Sequence, residues 1–167
     1  MSKLIIKNDV IFYDEEDAPI ISLHVWQVNI ERNNKYARTN VKGTSVRMHR
    51  LILGVTNPSI FVDHINGNTL DNRKCNLRLC SNAQNLHNRG ANKNNPTKLK
   101  GVTIFEKNYY RARITAFGKA IHLGLYKDPM AAAQAYNEAA IKYHGEFAKL
   151  NIIQKETDPI KRLLMGC

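Results

Sequence analysis

The chain has 167 residues, of which 25 are Lys or Arg and 14 are Asp or Glu, giving a formal net charge of +11 at pH 7. No run of 18 apolar residues occurs, which excludes a membrane-spanning helix. Residues 41–90 hold 7 basic and 2 acidic side chains, and residues 91–150 hold 10 and 4. Positive charge concentrated in this way predicts a polyanionic partner, because each phosphate contact releases condensed counterions. A basic surface that serves only solubility is the alternative.

The cysteines and the N-terminal residues indicate the compartment. Cys75, Cys80 and Cys167 are odd in number and form no C-x-x-C pair, which argues against a disulfide framework or a zinc ribbon. The start MSKLIIKNDVIFYDEEDAP turns acidic where a signal peptide has a longer apolar core. We therefore expect a cytoplasmic protein.

The first block, residues 4–55, consists of short apolar or alternating runs with polar breaks between them. The runs are LIIKNDVIFY, ISLHVWQVNI, KYARTNV and TSVRMHRLIL. Alternation with a period of two predicts strands of a small antiparallel sheet. His24 is expected in a strand, Trp26 in the core, and His49 in a short helix where the last run ends.

The second block, residues 59–89, reads as a hairpin followed by a helix. Asn66-Gly67 between apolar runs is a strong hairpin signal by itself. Ser81 is a good N-cap residue and predicts that a helix begins there. The following segment GANKNNPTK, from residue 90, is polar and rich in breakers, which predicts a linker.

A candidate catalytic site lies in this second block. Asp63 and His64 end a predicted strand, Asn76 lies 12 residues after His64, and Asn85 lies 21 residues after it, on the predicted helix. If the hairpin packs on the helix, Asp63 and Asn85 offer two oxygen ligands, which suit a hard cation such as Mg²⁺. His64 on the opposite strand face is then placed to activate water for attack on phosphorus. Asn76 braces the loop or orients His64.

These motifs resemble the HNH nuclease family, which has a ββα-metal site. The resemblance rests on residues in the family's order: Asp63-His64, Ile65-Asn66-Gly67-Asn68, Asp71-Asn72-Arg73, Asn76-Leu77-Arg78 and Asn85, preceded by Met48-His49-Arg50-Leu51. It implies His64 as general base, Asn76 as structural residue, and Asp63 and Asn85 as ligands of one Mg²⁺ or Mn²⁺ ion. The second His of the family name corresponds here to Asn85, as in a subset of phage homing endonucleases. His87 is a second candidate ligand.

The third block predicts three strands and a helix. Alternating residues in the segments 102–104, 110–114 and 121–125 indicate short strands. Asp128 is a favourable N-cap before Pro129, Gly145 is a C-terminal stop, and the alanine-rich segment between them favours a helix. The outward sheet face and its flanks carry the candidate DNA contacts, which are Lys98, Lys100, Thr103, Arg111, Arg113, Thr115, Lys119 and His122. A merely solvated polar face is the alternative.

This block closely resembles the ethylene-response-factor type of DNA-binding domain over about residues 98–152. The matching segments are YRARI, IHLGLY, AAAQAYN and GEFAKLN. The resemblance implies that the three-stranded sheet docks in the major groove of double-stranded DNA. The usual Trp of the first strand is replaced, with Ile104 or Phe105 nearby, so base preference cannot be transferred.

Together these features predict an α+β chain with a nuclease domain at 1–89, a linker at 90–97, the DNA-binding domain at 98–152 and a tail at 153–167. The N-terminal domain combines a small antiparallel sheet with the ββα module, and the second packs a three-stranded antiparallel sheet on one helix. We expect a site-specific DNA endonuclease of the homing type, phage-encoded and acting in a bacterial host. A non-catalytic DNA-binding regulator and a less specific DNA or RNA nuclease are the alternatives. The oligomeric state, monomer or dimer, is left open. The IKRLLM run of the tail is a candidate docking helix.

Overall fold

The structure, a computed structural model, describes residues 2–32 and 34–153. It is an α+β fold of small antiparallel sheets with few helices, as predicted. The described residues form two compact units that divide between Asn85 and Leu86. No helix among them is long and apolar enough to cross a membrane. The IKRLLM run of the predicted tail lies outside the described residues.

The N-terminal unit contains two hairpins, one three-stranded sheet and two short helices. The hairpins are β1–β2 and β6–β7, and the sheet has the order β3-β4-β5. In chain order the elements are β1 (Ser2–Ile6), β2 (Asp9–Tyr13), α1 (Ala18–Ser22), β3 (Gln27–Glu31), β4 (Asn34–Val41), β5 (Thr44–Arg47), α2 (Met48–Ile52), β6 (Phe61–His64) and β7 (Leu77–Cys80). A further helix, α3 (Asn82–His87), follows β7.

Two predictions for the first block were wrong in detail. The run LIIKNDVIFY is a hairpin that turns at Lys7-Asn8, with Lys7 at φ 55°. The run ISLHVWQVNI begins inside α1, so His24 lies in a bend and not in a strand. Pro19 explains the helix, because its fixed φ suits the first helical turn and its missing N–H costs nothing there.

The core of the N-terminal unit lies between β2, α1, β4 and α2. Its buried residues are Ile11, Ile21, Trp26, Ala37 and Met48. Trp26 is buried as predicted, and its indole N–H donates a hydrogen bond to the Ile21 carbonyl at 2.9 Å. The short helix predicted near His49 is α2, which packs on β4 and β5.

The C-terminal unit has the predicted three strands and one helix. These are β8 (Val102–Glu106), β9 (Tyr109–Ala116), β10 (Lys119–Tyr126) and α4 (Pro129–His144), with β9 in the centre of the sheet. The Asp128 carboxylate accepts hydrogen bonds from the N–H groups of Met130 (3.1 Å) and Ala131 (3.0 Å), which caps α4. Four buried alanines let the helix lie close to the sheet: Ala132, Ala133, Ala139 and Ala140.

Two irregularities shift side chains from the faces that simple alternation predicts. The register shifts between His122 and Gly124, so Leu123 packs in the core while Leu125 is 46% exposed. A second shift lies between Ile104 and Glu106, after the regular pairing of Ile104 with Tyr110. A β-bulge inserts one residue, and the alternation of every later side chain changes face. Leu125, the register partner of Arg111, therefore lies on the outer face of the sheet.

The polar segment before β8 is held by side-chain hydrogen bonds. Asn95 Nδ2 donates to the carbonyls of Leu99 and Val102, both at 2.8 Å. Thr97 Oγ1 also donates to the Val102 carbonyl at 3.0 Å. These bonds attach the segment to the start of β8, so residues 95–102 pack as part of the C-terminal unit.

Candidate active site

The loop that joins β6 to β7, residues 65–76, is organised by the side chain of Asn76. Asn76 is 3% exposed, and its Oδ1 accepts a hydrogen bond from the Asn66 N–H at 2.9 Å. Its Nδ2 donates to the Asp71 carbonyl at 2.8 Å, and its own carbonyl accepts from the Ile65 N–H at 2.9 Å. One buried amide therefore satisfies polar groups from both halves of the loop and fixes its shape.

Asp71 anchors the other side of the same loop. Its carboxylate, in a residue that is 3% exposed, accepts from Arg73 Nε and Nη2, both at 2.7 Å, and from Asn66 Nδ2 at 2.9 Å. Burial raises the pKa of Asp71, but the hydrogen bonds and the Arg73 charge outweigh it and hold this pKa below its usual range. The anchor is thus charged at neutral pH.

The loop is also docked on the N-terminal hairpin. The Phe12 N–H of β2 donates to the Leu70 carbonyl at 2.9 Å, and the Asn72 N–H donates to the Phe12 carbonyl at 2.8 Å. This pair forms a short parallel bridge between β2 and the loop. The N-terminal hairpin therefore supports the strand end that carries Asp63 and His64.

Asp63 is held by an ion pair across the β6–β7 hairpin. Asp63 and Arg78 are register partners, and Asp63 Oδ2 accepts from Arg78 Nε at 3.0 Å and Nη2 at 2.8 Å. The two side chains are 7% and 12% exposed. This charge-assisted pair fixes the direction in which the carboxylate points.

His64 lies in a cluster of aromatic rings. It is 5% exposed, and its ring meets the His49 ring edge to face, with centroids 4.9 Å apart and an interplanar angle of 89°. Tyr36 lies 5.9 Å from His49 and 6.4 Å from His64. The two successive residues of β6 therefore have different neighbours: an arginine for Asp63 and aromatic rings for His64.

The surroundings of the two histidines favour the neutral imidazole. Burial lowers the pKa of His64 and outweighs the opposing effects of the Asn72 hydrogen bond and the Asp63 charge. Burial and the neighbouring His64 lower the pKa of His49 to about 2. A neutral imidazole accepts a proton, as a general base must.

The helix α3 begins with a capping box. Ser81 Oγ accepts from the Gln84 N–H at 3.2 Å, and Gln84 Oε1 accepts from the Ser81 N–H at 2.8 Å. Asn85 lies on this helix, with its N–H donating to the Ser81 carbonyl at 3.0 Å. The helix start at Ser81 is as predicted. The His87 ring stacks on His144 with centroids 3.7 Å apart, so it has a partner within the C-terminal unit.

The donor atoms of this region suit a hard divalent cation. Asp63 supplies carboxylate oxygen and Asn85 an amide oxygen, and Mg²⁺ typically takes one or two protein oxygens beside water and phosphate. Among residues 2–32 and 34–153 there is no group of three or more His, Cys, Asp or Glu side chains that would hold a metal by itself. The ligand roles of Asp63 and Asn85 stay predictions.

The candidate DNA-contacting side chains of the sheet share one face. Thr103 is the register partner of Arg111, and His122 is the register partner of Arg113, so all four lie on the face opposite α4, with Thr115 on the same strand. Arg113, Thr115 and His122 are exposed, whereas the Arg111 guanidinium lies 5.6 Å from the Phe105 ring centroid.

The three candidate lysines have different surroundings. Lys119 is exposed at the start of β10. Lys98 donates from Nζ to the Lys93 carbonyl at 2.6 Å. Lys100 is part-buried and donates to the His87 carbonyl, and its burial together with the nearby Lys149 charge lowers its pKa to about 8. Their contacts with DNA, like those of the sheet residues, stay predictions.

Sequence reasoning missed the residues that support the site. Arg78 pairs with Asp63, Tyr36 lies near the His64 ring, and Arg47 lies over the Tyr36 ring. His49, which the sequence motif before the hairpin includes, meets His64 edge to face. Arg78 was part of a motif, but a 12-residue loop separates the two strands. The strand register that pairs Arg78 with Asp63 therefore cannot be predicted from the sequence spacing. Tyr36 and Arg47 belong to another sheet, and no local pattern indicates their proximity.

The β6–β7 hairpin, with Asp63 and His64 at the end of its first strand, is followed in the chain by the helix α3. Residues 47–87 match the family model described as HNH endonuclease. The chain is 31% identical over 152 residues to an uncharacterized HNH endonuclease of Acanthamoeba polyphaga mimivirus, covering 88% of this chain and 77% of that protein. It is 32% identical over 90 residues to protein 3.8 of Escherichia phage T7, covering 53% and 74%. No solved structure gives a significant match. The chain belongs to the HNH endonuclease family.

Proposed function

We propose that this protein is a site-specific DNA endonuclease of the homing type that hydrolyses phosphodiester bonds with one Mg²⁺ or Mn²⁺ ion. The observation that carries the proposal is the buried His64, whose lowered pKa keeps it neutral next to the oxygen donor Asp63. A desolvated neutral imidazole beside a carboxylate suits general-base chemistry on a phosphodiester.

In the proposed reaction, an imidazole nitrogen of His64 takes a proton from water while the water oxygen attacks phosphorus. The P–O bond to the leaving strand breaks, and the proton stays on His64 until solvent removes it. Asp63 and Asn85 would hold the cation, which would supply positive charge to the phosphate and to the leaving oxygen. Asn76 keeps the loop in place, and Arg78 keeps the Asp63 carboxylate in a fixed direction.

The C-terminal unit is proposed to read the target as an ethylene-response-factor-type domain. Its exposed sheet face carries Arg113, Thr115 and His122 opposite the helix that covers the other side. A narrow sheet with outward arginines suits the major groove of double-stranded DNA, where guanidinium groups pair with guanine edges.

A binding-only regulator is the second candidate, and the Asp63–Arg78 ion pair is the observation that favours it. An arginine on the carboxylate neutralises the charge that would attract a cation. In that case the ββα module serves as scaffold, and the protein binds duplex DNA without cutting it.

A supercoiled-plasmid assay separates these functions. The wild-type protein is expected to cleave with Mg²⁺ or Mn²⁺ and not with EDTA, and His64→Ala is expected to lose about 100-fold or more in rate, the usual contribution of general-base catalysis. Duplex binding by His64→Ala, measured in EDTA, is expected to stay within about twofold of the wild type because His64 is buried. His24→Ala, a histidine outside the site, is the matched control.

The same assay contains the outcomes that contradict the proposal. Tight duplex binding without cleavage under every metal condition would establish the regulator instead. Equal cleavage of duplex DNA and RNA would establish a less specific nuclease. Sequencing the ends of the products identifies the target and tells nicking from double-strand cleavage.

A further inference from the structure

A groove of about 550 Å³ in the N-terminal unit has three arginines in its wall. It lies along β5, α2 and the segment that follows α2. The arginines are Arg38 from β4, Arg47 from the end of β5 and Arg50 from α2. Every residue that lines this arginine groove is described, and none is acidic. The groove is therefore a surface that attracts anions. None of its lining residues is among the proposed catalytic, metal-binding or DNA-contacting residues.

Arg50 serves the fold. Its Nη1 donates to the Ile60 carbonyl and its Nη2 to the Asn57 carbonyl, both at 2.7 Å. These bonds tie the segment after α2 to the helix and close one side of the groove. The two terminal nitrogens of Arg50 are thus already engaged with protein carbonyls.

Arg38 and Arg47 are instead held by one shared acid. They are register partners on β4 and β5, and both bond to Glu31: Arg38 Nη1 to Oε1 at 2.8 Å, and Arg47 Nη2 to Oε2. One carboxylate balances only one of the two positive charges. Glu31 engages one terminal nitrogen of each guanidinium, and the other terminal nitrogen of Arg38 makes a long hydrogen bond of 3.5 Å to the Ser45 carbonyl. The Nε atoms of both arginines are buried. The pair thus keeps a net positive charge on two neighbouring strands.

Arg47 also connects the groove to the candidate catalytic histidine. Its guanidinium carbon lies 4.8 Å from the centroid of the Tyr36 ring. The same Tyr36 ring lies 6.4 Å from the His64 ring. Tyr36 is therefore a common neighbour of the Arg47 guanidinium in the groove and of the proposed general base.

We propose that Arg38 and Arg47 bind a DNA backbone phosphate next to the one that is cleaved. The inference rests on the proposed nuclease function and deepens it, because it assigns the substrate strand a path through the arginine groove. Guanidinium groups on a fixed scaffold bind phosphate with paired, charge-assisted hydrogen bonds. Such contacts position the strand and carry no base specificity.

The salt dependence of DNA binding tests this proposal with Arg38→Ala and Arg47→Ala. The full-length proteins are titrated with a 40-base-pair duplex in EDTA at several NaCl concentrations, so that no cleavage occurs. Each variant is expected to lose about tenfold in affinity, since charge-assisted hydrogen bonds are lost. The slope of log K against log salt is expected to become shallower by about 1 for each lost phosphate contact.

Arg32→Ala is the matched control, because Arg32 is an exposed arginine of the same unit that does not line the groove. Arg47→Lys keeps the charge but not the paired donors, so it is expected to keep the slope and lose part of the affinity. It also replaces Arg47→Ala if that variant fails to fold. In plasmid cleavage, Arg38→Ala is expected to raise KM and leave kcat within about threefold, as for lost ground-state binding.

The proposal is overturned if folded Arg38→Ala and Arg47→Lys match Arg32→Ala in both affinity and slope. Failure of the proposed function looks different, because the wild type would then bind DNA with the groove-dependent slope but cleave nothing with Mg²⁺ or Mn²⁺. A wild type that binds no duplex DNA at low salt overturns both.

Discussion

The two units keep their shapes by different means. The described core of the N-terminal unit is small, and its site loop is fixed by buried amide and carboxylate side chains, chiefly Asn76 and Asp71. The C-terminal unit packs an alanine-rich helix on a continuous three-stranded sheet, and its side-chain network, in which Asn137 and Asn151 exchange hydrogen bonds of 2.9 and 2.8 Å, joins the helix to the segment after it.

The site loop therefore depends chiefly on hydrogen bonds, whereas the C-terminal unit adds close packing of a helix on a sheet to its hydrogen bonds. Buried polar networks hold side chains in unique positions, but each lost bond leaves an unsatisfied group. Close packing of small residues gives a rigid surface that depends on shape alone. The C-terminal unit is therefore expected to be most sensitive to added volume, and the N-terminal unit to lost hydrogen bonds.

Gly101→Ala is expected to have the largest effect on stability. A Cβ at Gly101 would lie 2.0 Å from Tyr136 Cδ2 and 2.6 Å from the Arg113 carbonyl oxygen. The helix and the sheet would have to separate, which we expect to lower the free energy of unfolding of the C-terminal unit by about 3 kcal/mol or more. Hydrogen exchange of the α4 amides, followed in urea, measures the loss in this unit alone.

Gly118→Ala is the control for this change. Gly118 has the same φ of +73°, but no atom lies within 4 Å of its added Cβ. It therefore reports the backbone cost without the clash, about 1 kcal/mol. Equal losses in the two variants would show that close packing between α4 and β8 does not limit the stability of this unit.

Much of the C-terminal fold was predictable because its determinants are local. Asp128, Pro129 and Gly145 mark the ends of α4 in the sequence, and alternation marks each strand. The bulge after His122 has a local signal that alternation alone overlooks: Gly124, with a φ of 135°, lies at the register shift, and an isolated Gly within a strand pattern is typical of a bulge. In the first block, Pro19 was present in the sequence as evidence for a helix, but the alternation around it was given more weight.

Asn76→Ala tests whether the buried hydrogen bonds of the site loop stabilise the N-terminal unit. The change leaves the Asn66 N–H and the Asp71 carbonyl without their buried partner, and each loss costs about 1–3 kcal/mol. We expect the N-terminal unit to lose about 2–4 kcal/mol, and the loop to loosen enough that cleavage falls together with stability. Urea unfolding with Trp26 fluorescence measures this unit, because Trp26 lies in its core.

Asn68→Ala is the control within the same loop. Asn68 is exposed, and its side chain accepts one bond, from the Leu70 N–H at 3.1 Å. It is expected to cost less than about 1 kcal/mol. If the two asparagines cost the same, burial of the network is not what holds the loop, and the contrast between the units weakens.

The hairpin and the helix that carry the candidate residues were predictable from the sequence, but the neighbours of these residues were not. Motif spacing identified Asp63, His64, Asn76 and Asn85, and the hairpin followed by the helix that carries them is present. The sequence does not reveal that Arg78 faces Asp63 or that His49 and Tyr36 enclose His64, because these contacts cross loops and sheets. Long-range contacts of this kind depend on register and docking, which local patterns do not encode.

The buried His49 gives the N-terminal unit a dependence on pH, and this is the smallest of the three expected effects. Its pKa is about 2 in the folded protein and about 6.5 in the unfolded chain. Between these values the unfolded chain binds a proton that the folded protein does not, so acid favours unfolding. The stabilising contribution is complete above about pH 6.5 and decreases as the pH falls, by up to about 2 kcal/mol at pH 5.

His49→Phe keeps an aromatic ring against His64 but cannot bind a proton, and His49→Gln keeps a neutral polar side chain. Urea unfolding at pH 5 and pH 7 is expected to show a smaller pH-dependent loss in both variants than in the wild type, while His64 still contributes part of the slope. An unchanged slope in both would mean that His49 gains solvent or a charged partner on acidification. The N-terminal unit would then accept a charged His49 without losing stability. Sensitivity to the charge of a buried histidine would no longer distinguish this unit from the C-terminal unit.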